Sequence, residues 1–195
     1  LTDEILLQNL SKYQRRHIMR SGKKSIKIKV FNGRVNSDQL KHWFHEFQNM
    51  HLISAGRMTR PQETWDCMYN AALNDEASLF CAFWEDTAIS FLFCGEFSSM
   101  AFGWSQVNAA EFEKRYSPRH LLEWEAIKHY KCMGFKYYEV GERYYGPQLL
   151  HVPSDKEITI SVFKERYGGF LLPKITWLGY FDQILLDSDL NASLD

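Results

Sequence analysis

The chain has 195 residues, 45% hydrophobic and 15% aromatic, and a formal net charge of −1 at pH 7. That length suits one ordinary domain with a sizeable buried core, and the near-zero charge excludes a global electrostatic pull toward nucleic acid or anionic membranes. No apolar run is long enough to cross a bilayer and no signal peptide opens the chain, so the expected location is cytoplasmic. The four cysteines, Cys67, Cys81, Cys94 and Cys132, lie in apolar segments without Cys-x-x-Cys spacing. They read as buried thiols of a reducing compartment, not as disulfides or zinc ligands.

Residues 2–20 are predicted as one helix, capped by Thr2, with Ile5, Leu6, Leu10, Tyr13 and His17 as its apolar stripe. No acid occurs between Glu4 and Asp38, and the second half of this helix holds Arg15, Arg16 and Arg20. Those arginines suit the negative end of the helix dipole, and they equally suit a surface that meets the phosphates of a sugar nucleotide or RNA. Residues 25–31 alternate Ile26, Ile28 and Val30 with Lys27 and Lys29, the pattern of a half-buried edge strand. Ser37 is expected to cap the next helix, with Leu40, Trp43, Phe44, Phe47 and Met50 on its buried side. His42, His45 and His51 lie on that helix without acidic partners at metal-ligand spacing, so no metal site is expected. A loop at 54–60 presents Arg57 and Arg60, and Pro61 starts a helix lined by Trp65, Met68, Tyr69, Ala72 and Leu73.

Three strands at 77–84, 87–94 and 99–106 follow, joined by turns short enough to dictate an antiparallel meander. Their nearly continuous apolar runs require helices on both faces. Trp104 stands near the end of the third strand. Ser117 is expected to cap a helix whose buried face holds Leu121, Leu122, Trp124, Ile127 and Tyr130, with Glu123, Glu125, Lys128 and Lys131 toward water. Gly134 ends it, and residues 135–140 read as a short buried strand. A polar loop at 141–148 contains Glu142, Arg143, Tyr144 and Tyr145, with His151 beyond. Ser154 to Glu157 forms a capping box before a helix that reaches Tyr167, and residues 170–180 read as a last strand. The expected organisation is one domain over 1–180 with an acidic tail at 181–195.

The leucine-rich helix at 120–127, Gly134, the strand at 137–141 and the Phe163-Lys164-x-x-Tyr167-Gly168-Gly169 run resemble the GNAT-like acyltransferase domain of the FemAB-related superfamily. The segment 11–20 and the arginine-proline pair at Arg60 and Pro61 are similar to family segments as well. The resemblance implies an α+β, GNAT-like fold: a central mixed sheet with an antiparallel meander, flanked by helices. It also implies an N-acyltransferase acting by direct attack, without a metal or a bound cofactor. The acceptor would be a small-molecule amine, of a bacterial cell-envelope precursor or a sugar nucleotide. The co-substrate would be acyl-CoA or aminoacyl-tRNA, with tRNA then a partner. FemAB-like proteins often contain two such halves, so a further N-terminal GNAT-like domain is an expectation.

Lys164 aligns with the lysine of the family's Phe-Lys motif, and could neutralise charge on the tetrahedral oxyanion. Glu142 or His151 could take the proton of the attacking amine, and Arg143 could pair with a carboxylate or phosphate. Tyr145, Trp104 and Arg60 are further candidates for substrate contact. The start of the helix at Ser117, with Arg119 and His120 in its first turn, is the expected anion site. Acyl-CoA-dependent members usually have a glutamine- or arginine-led glycine loop there, whereas this chain has no glycine between Ala110 and Tyr116. Two alternatives stay open: a conventional acyl-CoA-dependent N-acetyltransferase, and a non-catalytic module binding through the basic 12–29 segment.

Overall fold

The computed structural model describes residues 1–22, 25–148, 151–173 and 179–192. The chain divides into two compact units, Leu1–Gly141 and Glu142–Asp195.

In the first unit two helices, α1 (Asp3–Asn9) and α2 (Lys12–Gly22), replace the single predicted one. Thr2 caps α1 as expected, accepting from the Ile5 amide. Leu10 then turns extended, and the Ser11 hydroxyl accepts from the Gln14 amide to start a new helix. A buried Leu10 thus outweighs helical continuity. Strand β1 (Ile26–Phe31) follows, then α3 (Ser37–Ala55) and α4 (Gln62–Leu73). The N-cap of α3 is Asn36, in a left-handed conformation, one residue before the predicted Ser37.

The meander comprises β2 (Ala77–Trp84), β3 (Thr87–Phe97) and β4 (Met100–Asn108). With β1 and β5 (Tyr137–Glu139) it makes a sheet of order β1-β2-β3-β4-β5. All pairs are antiparallel except β4 with β5, which is parallel. β1 is an edge strand, with Lys27 and Lys29 exposed as its alternation requires. Both faces of the sheet are covered. Leu79, Cys81 and Phe83 of β2 pack with Leu40, Phe44, Phe47, Trp65 and Met68 of α3 and α4. Phe80 and Ala82 pack on the other side with Leu122, Ala126 and Tyr130 of α6 (Pro118–Cys132). Alternate residues of one strand therefore serve two cores, which is why the strands read as continuous apolar runs.

Three further expectations are corrected in the first unit. A short helix, α5 (Ala110–Tyr116), fills the stretch before Ser117. Cys67 and Cys132 are exposed, because their helical positions face away from the cores, while Cys81 and Cys94 are buried. Glu123 is 5% exposed instead of water-facing, since α6 is buried on more than one side.

The second unit contains α7 (Asp155–Glu165) and α8 (Gln183–Ala192). The Ser154–Glu157 capping box forms as predicted. Residues 170–173, 179 and 180 are not in a strand, and the rest of the predicted strand lies outside the described residues. Much of the expected tail is helical in α8, where Asp182 accepts from the Ile184 amide and Gln183 donates to Asp187.

Gly95 of β3 lies opposite Phe102 of β4, and a Cβ built on it would stand 2.3 Å from the Phe102 ring. Gly95→Ala should therefore destabilise the fold by about 1–3 kcal/mol through overpacking. A second change, Phe102→Leu, should recover part of that loss, read by urea unfolding of both variants. Additive losses would mean that the two residues do not compete for space.

Candidate active site

The site begins with an irregularity in β4. Phe93 pairs with Ser105 and the next residue, Cys94, pairs with Gly103, which leaves Trp104 as a one-residue β-bulge. In a regular strand Ala101, Gly103, Ser105 and Val107 would share one face. Here Ala101 joins the core beneath α6, whereas Val107 joins the core beneath α3 and α4. Trp104 is 50% exposed at the crossover. β5 pairs only with Met100, Ala101 and Phe102. Past Phe102 no strand among the described residues continues the sheet beside β4, so its second half forms a strand edge.

On the α3–α4 face, Ser105 gathers a polar cluster. Arg60 Nη2 donates to Ser105 Oγ at 2.8 Å, and His51 Nε2 lies 3.1 Å from the same oxygen. The Arg60 guanidinium stacks 4.8 Å above the Trp65 ring. Arg60 thus reaches inward to β4. His51, read from sequence as an ordinary histidine, is held neutral: burial and then the nearby Arg60 cation push it down to about 4.

On the α6 face, the Tyr138 hydroxyl of β5 donates to Glu123 Oε1 at 2.8 Å and lies 3.6 Å from Cys94 Sγ. A Cβ on Gly103 would stand 3.2 Å from Glu123 Oε1 and 3.3 Å from the Tyr138 hydroxyl, so the missing side chain lets this pair approach β4. Burial, then the Cys94 and Glu123 charges, pushes the Tyr138 phenol well up. Sequence reasoning missed Glu123 and Tyr138. The one signal was a glycine inside a strand, which marks a close approach.

The helix start at Ser117 differs from expectation. Ser117 is left-handed (φ 49°) and its side chain makes no capping hydrogen bond. Its hydroxyl lies 2.8 Å from His17 Nδ1 instead. Ser21 donates to the Tyr116 and Ser117 carbonyls, Gln14 meets His120 Nδ1, and the His17 and His120 rings stack at 4.5 Å. Ser117 and His120 are 4% and 1% exposed. Arg119 pairs with Glu113 of α5 at 3.0 Å. α2 therefore covers the place where the anion site was expected. Of the basic residues on α2, Arg15 donates to the Gln8 carbonyl and Arg20 to the Arg115 carbonyl, while Arg16 is exposed.

The second unit holds the remaining predicted residues. Arg143 pairs with Glu165 at 2.9 Å, donates to Ser161 and the Tyr144 carbonyl, and stacks 4.4 Å from the Tyr145 ring. Glu142 accepts from the Tyr144 hydroxyl, which pushes that phenol up to about 12. His151 lies 3.6 Å from Glu157 and its ring is near that of Tyr144. Lys164 sits in the last turn of α7.

An antiparallel meander whose fourth strand pairs briefly with a parallel fifth strand and then bulges is the sheet of a GNAT-like α+β fold. The chain belongs to the acetyltransferase (GNAT) domain family, a FemAB-related family, which it matches over residues 12–146. No curated protein sequence matches it. Among solved structures it is similar to FemX, with a TM-score of 0.65 and 12% identity over 86% of this chain. The match covers 56% of FemX, so this chain spans little more than half of that protein's length. It is also similar to an aminoglycoside acetyltransferase, meta-AAC0020, from an uncultured soil metagenomic sample, solved with sisomicin (TM-score 0.52, 11% identity, 80% of this chain and 95% of that one). A third is AAC(6')-Iy in complex with a bisubstrate analogue, CoA-S-monomethyl-acetylneamine (TM-score 0.52, 14% identity, 80% and 98%). No helix among the described residues is long and apolar enough to cross a membrane.

The depressed His51 makes stability pH-dependent in a defined window. The unfolded chain takes up this proton near 6.5 and the folded chain only near 4, so stability falls as pH drops through that interval. His51→Gln should lose less stability than the parent between about pH 7 and about pH 5, measured by urea unfolding at both. Equal losses would show that His51 is not held neutral.

Proposed function

We propose that this chain is an N-acyltransferase that moves an acyl group from a thioester donor to the amine of a cell-envelope precursor or sugar-nucleotide-type acceptor. The observation that supports it is the bulge at Trp104, with the strand edge that follows. An amide-bearing donor arm can lie along β4 from Gly103 to Asn108 and hydrogen-bond as a further strand would. The amine then attacks the donor carbonyl directly. It loses a proton as the tetrahedral oxyanion forms, and collapse forms the amide and expels the thiolate, which takes up a proton.

Acyl-CoA is the donor favoured by this reading, because AAC(6')-Iy was solved with a CoA-based bisubstrate analogue. The closed start of α6 implies that the pantetheine arm supplies most of the grip, since no diphosphate can sit at a helix start covered by α2. Lys164 as the stabiliser of the oxyanion is a proposal resting on sequence resemblance alone, and Glu142 or His151 as the proton acceptor is one resting on their place in, or just beyond, the polar loop after β5. A cytoplasmic location is a further proposal, resting on the sequence pattern.

Thermal shift tests the reading. An acyl-CoA present at a hundred times its dissociation constant should add about 2.7 kcal/mol, a rise of roughly 5–10 °C for a chain of this size. Acyl-pantetheine should give a rise of similar size at equal saturation, and Trp104→Ala should weaken both. No shift with any acyl thioester would overturn the proposal. Lys164→Ala should lower kcat about a hundredfold with little change in KM if it stabilises the oxyanion, and an unchanged kcat would remove it from the chemistry.

A further inference from the structure

A cleft of about 310 Å³ opens between the second half of α3 and the loop that leads into α4. Its polar lining is His45, Gln48, Asn49, Thr59 and Gln62, and its apolar lining is Leu52, Met58 and Trp65. Among the described residues no carboxylate, ammonium or guanidinium lines it. Two of the three amides are held in place by neighbours. Asn49 Nδ2 lies 3.2 Å from His45 Nδ1 and 3.4 Å from Glu46 Oε1, and Gln62 Nε2 donates to Asp66 at 2.8 Å.

We infer that this cleft binds one uncharged, hydroxyl-rich ring of the acceptor: a sugar unit. Fixed amides and a threonine hydroxyl both give and receive hydrogen bonds, and so match hydroxyl groups that do the same. Leu52 and Met58, both exposed at the rim, suit the apolar C–H face of such a ring, while Trp65, 4% exposed and stacked under Arg60, backs the cleft. A phosphate or carboxylate placed here would lose water and meet no lysine or arginine side chain, which selects against anionic ligands. The volume is at the small end of the range for small-molecule sites, about 300–1,000 Å³, and so fits a single ring. The inner wall leads toward the reacting strand: Trp65 lies under Arg60, and Arg60 binds Ser105 beside the Trp104 bulge. This assignment rests on the acyltransferase reading and names the acceptor side of that same site.

Isothermal titration with methyl glucoside, glucose 6-phosphate and lysine amide tests it on the whole chain. Methyl glucoside should bind, and Gln62→Leu and Asn49→Leu should each weaken it by up to about tenfold. Glucose 6-phosphate should bind less well than methyl glucoside. Melting curves would establish that both variants are folded. Absence of methyl glucoside binding, binding untouched by either variant, or a preference for the phosphate or for lysine amide would each overturn the sugar assignment. The acyl-thioester melting shift, read without sugar, reports separately on the acyltransferase reading, so the two can fail independently.

Discussion

Opposite the junction of Phe93 and Cys94, β4 fits one residue more than its partner, and the placement of every side chain after it depends on that surplus. Up to Gly103 the strand sends alternate residues beneath α6; from Ser105 onward the same parity points to α3 and α4. Ser105 thereby meets Arg60 and His51 and Trp104 is turned outward, whereas Gly103, just before the surplus residue, rests against Glu123 and Tyr138. A bulge also bends its strand and increases the local twist. That bend is consistent with the loss of pairing to β5 after three residues. One inserted residue accounts for the turn of Ser105 toward Arg60 and His51.

The start of α6 shows a second constraint. α2 approaches it with Gln14 and Ser21 fully buried, and a buried polar group left unpaired costs about 1–3 kcal/mol. Each finds a partner there, in His120 and in the carbonyls of Tyr116 and Ser117. The left-handed backbone of Ser117 is tolerated because the hydroxyl and carbonyl on either side of it are both engaged. A helix end that could have served an anion is used to fasten the N-terminal helix. The same sequence feature, a serine before a proline at the mouth of a helix, was compatible with either use.

Acids against the sheet follow the same logic. Glu123 accepts from Tyr138, and Glu96 accepts from Tyr130 and Ser78, the latter held in turn by Asn32. These carboxylates lie between the sheet and α6, where a lone charge would be expensive and a hydrogen-bonded one is tolerated. Through Tyr138, Glu123 ties α6 to β5.

Periodicity alone determined much of this protein. The alternation of Ile26, Ile28 and Val30 marked an edge strand, the nearly continuous apolar runs within 77–106 required helices on both faces, and Ser154 with Glu157 fixed the start of α7. These features are local, or follow from one element at a time, so the order of residues contains them. The family resemblance between residues 12 and 146 was legible for the same reason. The break at Leu10, the bulge at Trp104, the burial of Glu123 and the diversion of Ser117 to His17 were decided only in three dimensions. Each depends on packing or pairing with another element, and Ser117 meets a residue 100 positions away. A residue type states what a side chain can bind, and only packing selects which of its possible partners lies within reach.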